Sequence, residues 1–114
     1  CTVLLDGTPV RSCLLLAVQL DGHGVETVES LGSENNLHPL QQGFWEEHGL
    51  QCGYCTPGIL MTMKAFLAEN PDPTEHEIRT VLAGHLCRCT GYQHIVQSVL
   101  KAARRLAECP AGET

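Results

Sequence analysis

Gln51-Cys52-Gly53-Tyr54-Cys55-Thr56-Pro57-Gly58 and Cys87-Arg88-Cys89-Thr90-Gly91-Tyr92 are the two stretches on which the fold turns. A C-x2-C pair precedes an apolar stripe of Ile59, Leu60, Met63 and Leu67, and a C-x-C pair precedes one of Ile95, Val96, Val99, Leu100 and Ala103. Apolar side chains recurring every three to four residues mark helices buried along one side. Both thiol pairs therefore precede the start of a helix, where the first backbone N–H groups have no partner within the helix. Thr56 is expected to cap the first of these helices, with Pro57 at its first position, and Asn70-Pro71-Asp72-Pro73 to end it. The second is expected from Gly91 to about Ala107, with Lys101, Arg104 and Arg105 opposing the negative end of its dipole.

Two further helices follow from the same periodicity. Leu37, Leu40, Phe44 and Trp45 suggest an amphipathic helix over 38–48, stopped by Gly49, with Phe44 and Trp45 as core or subunit interface. Thr74 and Glu77 have the spacing of a capping box, ahead of the buried stripe Ile78, Val81 and Leu82. Towards the amino end the pattern changes to strands. Val3-Leu4-Leu5 and Val10 to Leu16 are expected to pair across a turn at Asp6-Gly7, and Val25-Glu26-Thr27-Val28 to add a third strand. Gly32-Ser33 is the expected boundary. The division is thus residues 1–32, a four-helix unit over 33–109, and a frayed tail over 110–114, entered at Cys109-Pro110. The chain enters a strand directly at Cys1, without a signal peptide, and is read as a fragment of a longer protein.

Composition narrows the function. The chain has 114 residues, 7 Lys+Arg against 13 Asp+Glu, a formal net charge of −6, and 43% hydrophobic but only 4% aromatic residues. That length suits one domain or two very small ones and leaves no room for a large enzyme. The acidic balance argues against nucleic acid as a partner, because neutralising phosphate needs clustered Lys and Arg. No apolar run approaches the roughly 20 residues of a membrane span. Without a signal peptide, 7 cysteines favour metal ligation in a reducing compartment, the cytoplasm, over disulfides.

Four sulfurs, from Cys52, Cys55, Cys87 and Cys89, suit either a tetrahedral zinc or an iron-sulfur cluster, and spacing leaves both open. Their place at helix amino ends favours the cluster, whose negative charge those N–H groups stabilise. Plainer readings stand beside the other candidates. Cys1 and Cys13 are expected as buried small hydrophobes on neighbouring strands, Cys109 as an unpaired surface thiol, and Met61 and Met63 as core. His38, His48, His76, His85 and His94 do not pair at zinc-site spacings, and four cysteines leave His85 no vacancy. Arg88 either offsets cluster charge or is an exposed loop residue; Tyr54 and Tyr92 either shield the thiols or are ordinary packing.

The two cysteine stretches resemble the paired signatures of the iron-sulfur subunit of molybdenum hydroxylases, the xanthine oxidase family. Leu37-His38-Pro39-Leu40-Gln41 and Gly91-Tyr92-Gln93-His94-Ile95-Val96 look most like the small subunit of aerobic carbon monoxide dehydrogenase. The resemblance implies an α+β chain: the C-terminal part of a truncated β-grasp ferredoxin domain, then a four-helix-bundle domain. Each domain would bind one 2Fe-2S cluster, the second through Cys52, Cys55, Cys87 and Cys89. Cys1 and Cys13 match the last two of four ligands of the ferredoxin-type cluster, and Gln51 and Cys89 match positions against a pterin cofactor. The implied role is electron transfer from a large molybdenum-pterin subunit to a medium FAD-binding subunit. Its rivals are a zinc-stapled helical interaction module without redox function, and the same subunit serving a nicotinate, isoquinoline, aldehyde or purine hydroxylase.

Overall fold

Three short strands followed by four helices make up the computed structural model, which describes residues 1–109; the expected tail at 110–114 lies outside them. Strands β1 (Thr2–Leu5) and β2 (Thr8–Arg11) pair antiparallel about Asp6-Gly7. Both turn residues have positive φ, 49° and 84°, as a two-residue hairpin turn requires. β3 (Val25–Glu26) pairs antiparallel with the other edge of β1, giving the order β2-β1-β3. β1 buries Thr2 and Leu4 and lies against α2 (Thr56–Glu69).

The strands are shorter than their apolar patterns suggest. Pairing stops at Arg11, the Ser12 N–H donates to Cys1 O at 2.7 Å, and Ser12–Leu14 and Ala17–Leu20 coil as 3-10 turns. The alternation misleads because Leu14 and Leu16 are 80% and 68% exposed: a strand needs a buried face and a hydrogen-bonded neighbour. β3 likewise gives way to a 3-10 turn at Val28–Ser30.

All four expected helices are present. α1 (Pro39–Glu46) is capped by His38, whose Nδ1 accepts the Leu40 N–H at 3.1 Å while Gln41 Oε1 accepts the His38 N–H at 2.9 Å. It packs on α4 (Gln93–Glu108) at Gly43, where a Cβ would meet the Ser98 carbonyl oxygen at 2.5 Å. Only glycine permits that approach. Phe44 is buried there, but Trp45, one residue on, is 75% exposed and belongs to no core. Thr56 is the first residue of α2 rather than its cap; Cys55 holds the cap position, and the buried Thr56 Oγ1 has no hydrogen-bond partner. In α3 (Glu75–Leu82) the expected capping box is formed, Thr74 N–H to Glu77 Oε2 at 2.7 Å and Glu77 N–H to Thr74 Oγ1 at 3.3 Å. Leu31, Leu40, Phe44, Ile59, Ile78 and Ile95 are among the side chains of one continuous core between the helices.

Candidate metal centre

Cys52 and Cys55 lie on the connection from α1 to α2, and Cys87 and Cys89 on the connection from α3 to α4. The two connections meet closely enough that the thiols act on one another electrostatically, Cys52 with Cys89 and Cys55 with Cys87. The pairs differ in setting. Cys52 and Cys89 are exposed, whereas Cys55 and Cys87 are half-buried and pack on the helical core.

The local chain is bent to deliver them. Gly53, between the first two cysteines, has φ of 81°, and Gly91 and Tyr92 after the second two have φ of 67° and 71°. Tyr92 is a non-glycine residue held in the left-handed region, and such a residue persists where its surroundings over-determine it. Its hydroxyl accepts the Cys87 N–H at 2.8 Å and donates to the His85 carbonyl at 2.9 Å. Its own N–H donates to Thr90 Oγ1 at 3.1 Å, and Thr90 Oγ1 stands 3.0 Å from Cys87 Sγ. Tyr92 is thus a strut for the C-x-C connection. Sequence left it between shield and packing, because no local pattern reports a side chain folding back five residues. Tyr54 is 94% exposed and so is not packed as a cover over the thiols.

The thiols are electrostatically unequal. At Cys55 burial, reinforced by Cys87, pushes the thiol up to about 11. Burial also acts upward on Cys87, but the Thr90 hydroxyl, the Thr90 and Cys89 N–H groups and Cys55 together outweigh it and bring the thiol down to about 7. The Tyr54 N–H, 3.4 Å from Cys52 Sγ, and the Cys89 thiol lower Cys52, while Cys52 raises Cys89. Backbone N–H groups and a hydroxyl aimed at sulfur favour the thiolate, the form a metal requires.

The donor set can be tested against the two metal groups that spacing allows. A tetrahedral zinc needs its four ligands converging on one ion. Among the described residues no group of three or more His, Cys, Asp or Glu side chains is arranged to hold one metal ion. What the four thiols offer is a donor set of sulfur alone, with no nitrogen or oxygen ligand among them. An all-sulfur set of this kind fits a 2Fe-2S cluster.

The remaining candidates fall elsewhere. Cys1 and Cys13 bring their sulfurs within 2.9 Å of each other and are both exposed, which corrects the expectation of buried thiols on neighbouring strands; Cys13 lies in the turn after β2. Gln51 is exposed beside Cys52, and Arg88 is exposed between the C-x-C cysteines. His85 packs its Nε2 at 2.8 Å on Thr62 Oγ1, and burial lowers its pKa. His94 Nδ1 meets the Glu47 carbonyl at 2.9 Å. Cys109 is exposed. No helix among the described residues is long and apolar enough to cross a membrane.

Residues 27–100 match the family described as 2Fe-2S binding domain. The chain is 55% identical to the nicotine 6-hydroxylase small subunit of Paenarthrobacter nicotinovorans, over 90% of this chain and 61% of that protein. It is 51% identical to caffeine dehydrogenase subunit gamma of Pseudomonas sp. (strain CBB1), over 87% of this chain and 61% of that protein. It is similar in structure to quinoline 2-oxidoreductase from Pseudomonas putida 86, with a TM-score of 0.83 and 52% identity over 92% of this chain and 68% of that one. The chain therefore spans about three fifths of the length of the first two relatives. The carbon monoxide dehydrogenase type expected from the sequence is only loosely matched.

Proposed function

The chain belongs to the 2Fe-2S binding domain family, among the iron-sulfur subunits of molybdenum hydroxylases of the xanthine oxidase type, and from that premise we propose that it is the electron-transfer subunit of such a complex. The observation that carries this reading is that the connections bearing Cys52 with Cys55 and Cys87 with Cys89 both lie within residues 27–100, the stretch that matches the 2Fe-2S binding domain family. These four are the ligands of one 2Fe-2S cluster, which when bound supplies one-electron acceptance and release. The protein's part is to hold it, aim N–H donors at its sulfurs and limit its contact with water. Cys55 and Cys87 do so on the core side. Cys52, Cys89 and the neighbouring Gln51 form the exposed edge, and Gln51 and Cys89 are the residues that meet the pterin of the large molybdenum subunit.

Residues 1–32 are, in the same reading, the C-terminal part of a β-grasp ferredoxin-type domain, and residues 33–109 a four-helix domain. Cys1 and Cys13, with sulfurs 2.9 Å apart, are two of the ligands of the ferredoxin-type cluster, on the side of the FAD-binding subunit. Nicotine, caffeine and quinoline in the names of the relatives favour a nitrogen heteroaromatic as the substrate of the assembly over carbon monoxide. That choice is made in the molybdenum subunit.

The test is iron, zinc and acid-labile sulfide per chain, on protein purified without oxygen. About two irons and two sulfides on the four helical-domain cysteines support the reading. About one zinc with no sulfide makes the chain a zinc-stapled interaction module and overturns it.

A further inference from the structure

Thr90 occupies a position that the ligand assignment does not use. Its hydroxyl oxygen receives the Tyr92 N–H at 3.1 Å and lies 3.0 Å from Cys87 Sγ. A threonine hydroxyl has one hydrogen to give and two lone pairs to receive. The Tyr92 N–H takes one lone pair, and a sulfur bound to metal carries no hydrogen, so the contact with Cys87 is satisfied in one sense only: the hydroxyl donates to sulfur.

Both ends of this contact are held. Cys87 is fixed through its N–H on the Tyr92 hydroxyl, which is itself anchored on the His85 carbonyl, and Thr90 is oriented by the Tyr92 N–H. The same tyrosine therefore sets the position of the sulfur and of the hydroxyl that points at it. The arrangement lies on the core side of the thiol set, where Thr90, Cys87 and Tyr92 are all half-buried. A hydrogen bond counts for more in such a setting than in water.

We infer that Thr90 is a positioning residue whose hydroxyl, oriented by Tyr92, donates a hydrogen bond to the Cys87 ligand sulfur and raises the reduction potential of the centre. This rests on Cys87 being a ligand, as proposed above. A hydrogen bond to a ligand sulfur draws charge off it and so favours the reduced, more negative state. A second threonine, Thr56, stands beside Cys55 and lowers that thiol, but no hydrogen bond from another described residue orients its hydroxyl.

The experiment is a redox titration of the assembled protein followed by its paramagnetic signal, on the wild type, Thr90→Val, Thr90→Ala and Thr90→Ser, with iron and sulfide counted on each. Thr90→Val and Thr90→Ala should keep a full cluster with a potential shifted downwards, and their iron–thiolate stretching bands should move in the resonance Raman spectrum. Thr90→Ser should restore both to wild-type values. Unchanged potentials in Val and Ala variants with intact clusters would overturn the inference and leave the ligand assignment standing. Loss of cluster in both would overturn it too, since Thr90 would then serve assembly rather than potential. A wild type without iron and sulfide would overturn the ligand assignment first, and this inference with it.

Discussion

Residues 31–109 bury an apolar core that runs through all four helices, including Leu31, Phe44, Ile59, Ile78, Ile95 and Val99. In residues 1–30 only Thr2 and Leu4 are buried, while Leu14, Leu16 and Val18 stand 80%, 68% and 78% exposed. The thiols divide along the same line. The set of four is bent into place by turns that rest on the helical core, with Tyr92 as strut, whereas Cys1 and Cys13 meet at an exposed sheet end. The difference teaches that a ligand set is only as rigid as the packing behind it: one half has supporting contacts of its own, and the other leans on α2 through β1.

The largest effect expected from this contrast is loss of a centre. Cys87→Ser removes the thiol that receives the most donors and should abolish the visible absorption and paramagnetic signal of the helical-domain cluster. Cys109→Ser, an exposed thiol outside both sets, should leave them unchanged. Equal losses from the two would break the assignment.

The contrast in packing comes next. Phe44 is 1% exposed where α1 crosses α4, and Phe44→Ala should lower unfolding stability by about 3–5 kcal/mol through lost burial and the cavity left behind. Denaturant midpoints on the intact protein measure this. A cost below about 1 kcal/mol, the range of a surface change, would mean that the helical half does not carry the core described here.

Much of this half was legible in the sequence, for reasons tied to particular residues. The stripes Ile59-Leu60-Met63-Leu67 and Ile95-Val96-Val99 place two helices, and Thr74 with Glu77 places the start of a third, because each is a local pattern with a local cause. Trp45 shows the limit: it is next to Phe44 in sequence, but a step of about 100° around the helix turns it to solvent. Thr56 shows another. The helix starts one residue earlier than its capping preference suggests, because Cys55 takes the cap position. The spacing of the four cysteines suggested one set, but which thiol acts on which was not readable, since that depends on how two distant connections meet. The strand read over Val10 to Leu16 failed where alternation stood for a buried face that no described residue supplies.

A smaller effect tests the α1–α4 seam from its rim. Arg105 first, then Lys101, holds the Glu46 carboxyl down at about 2, against an ordinary value near 4.5; the contacts are 2.7 Å and 2.8 Å. A carboxyl depressed in the folded state adds stability above its unfolded pKa, and the gain fades as pH falls from about 4.5 through about 2. The group is at the surface, where solvent screening keeps ion pairs weak. Glu46→Gln should therefore be slightly less stable than wild type at pH 6 to 7, with the gap closing between pH 4.5 and 2. Denaturant midpoints across that range check it, and a gap that widens on acidification would reverse the sign and exclude the pair as its source.

The smallest expected effect is the sharpest test of the contrast. Leu16→Ser changes a large apolar side chain, and in the helical half such a change would cost several kcal/mol. At 68% exposure Leu16 has little burial to lose, so the unfolding midpoint of this chain should move by no more than about 0.5 kcal/mol. The backbone there is held without the side chain, by the Leu16 N–H on Gln19 Oε1 at 2.8 Å and the Gln19 N–H on Leu16 O at 2.9 Å, and both bonds survive the substitution. A cost of 2 kcal/mol or more, in the range of about 2–5 kcal/mol for truncating a buried leucine, would mean that this segment is packed in solution. The two halves would then differ in what covers them rather than in whether they have a core.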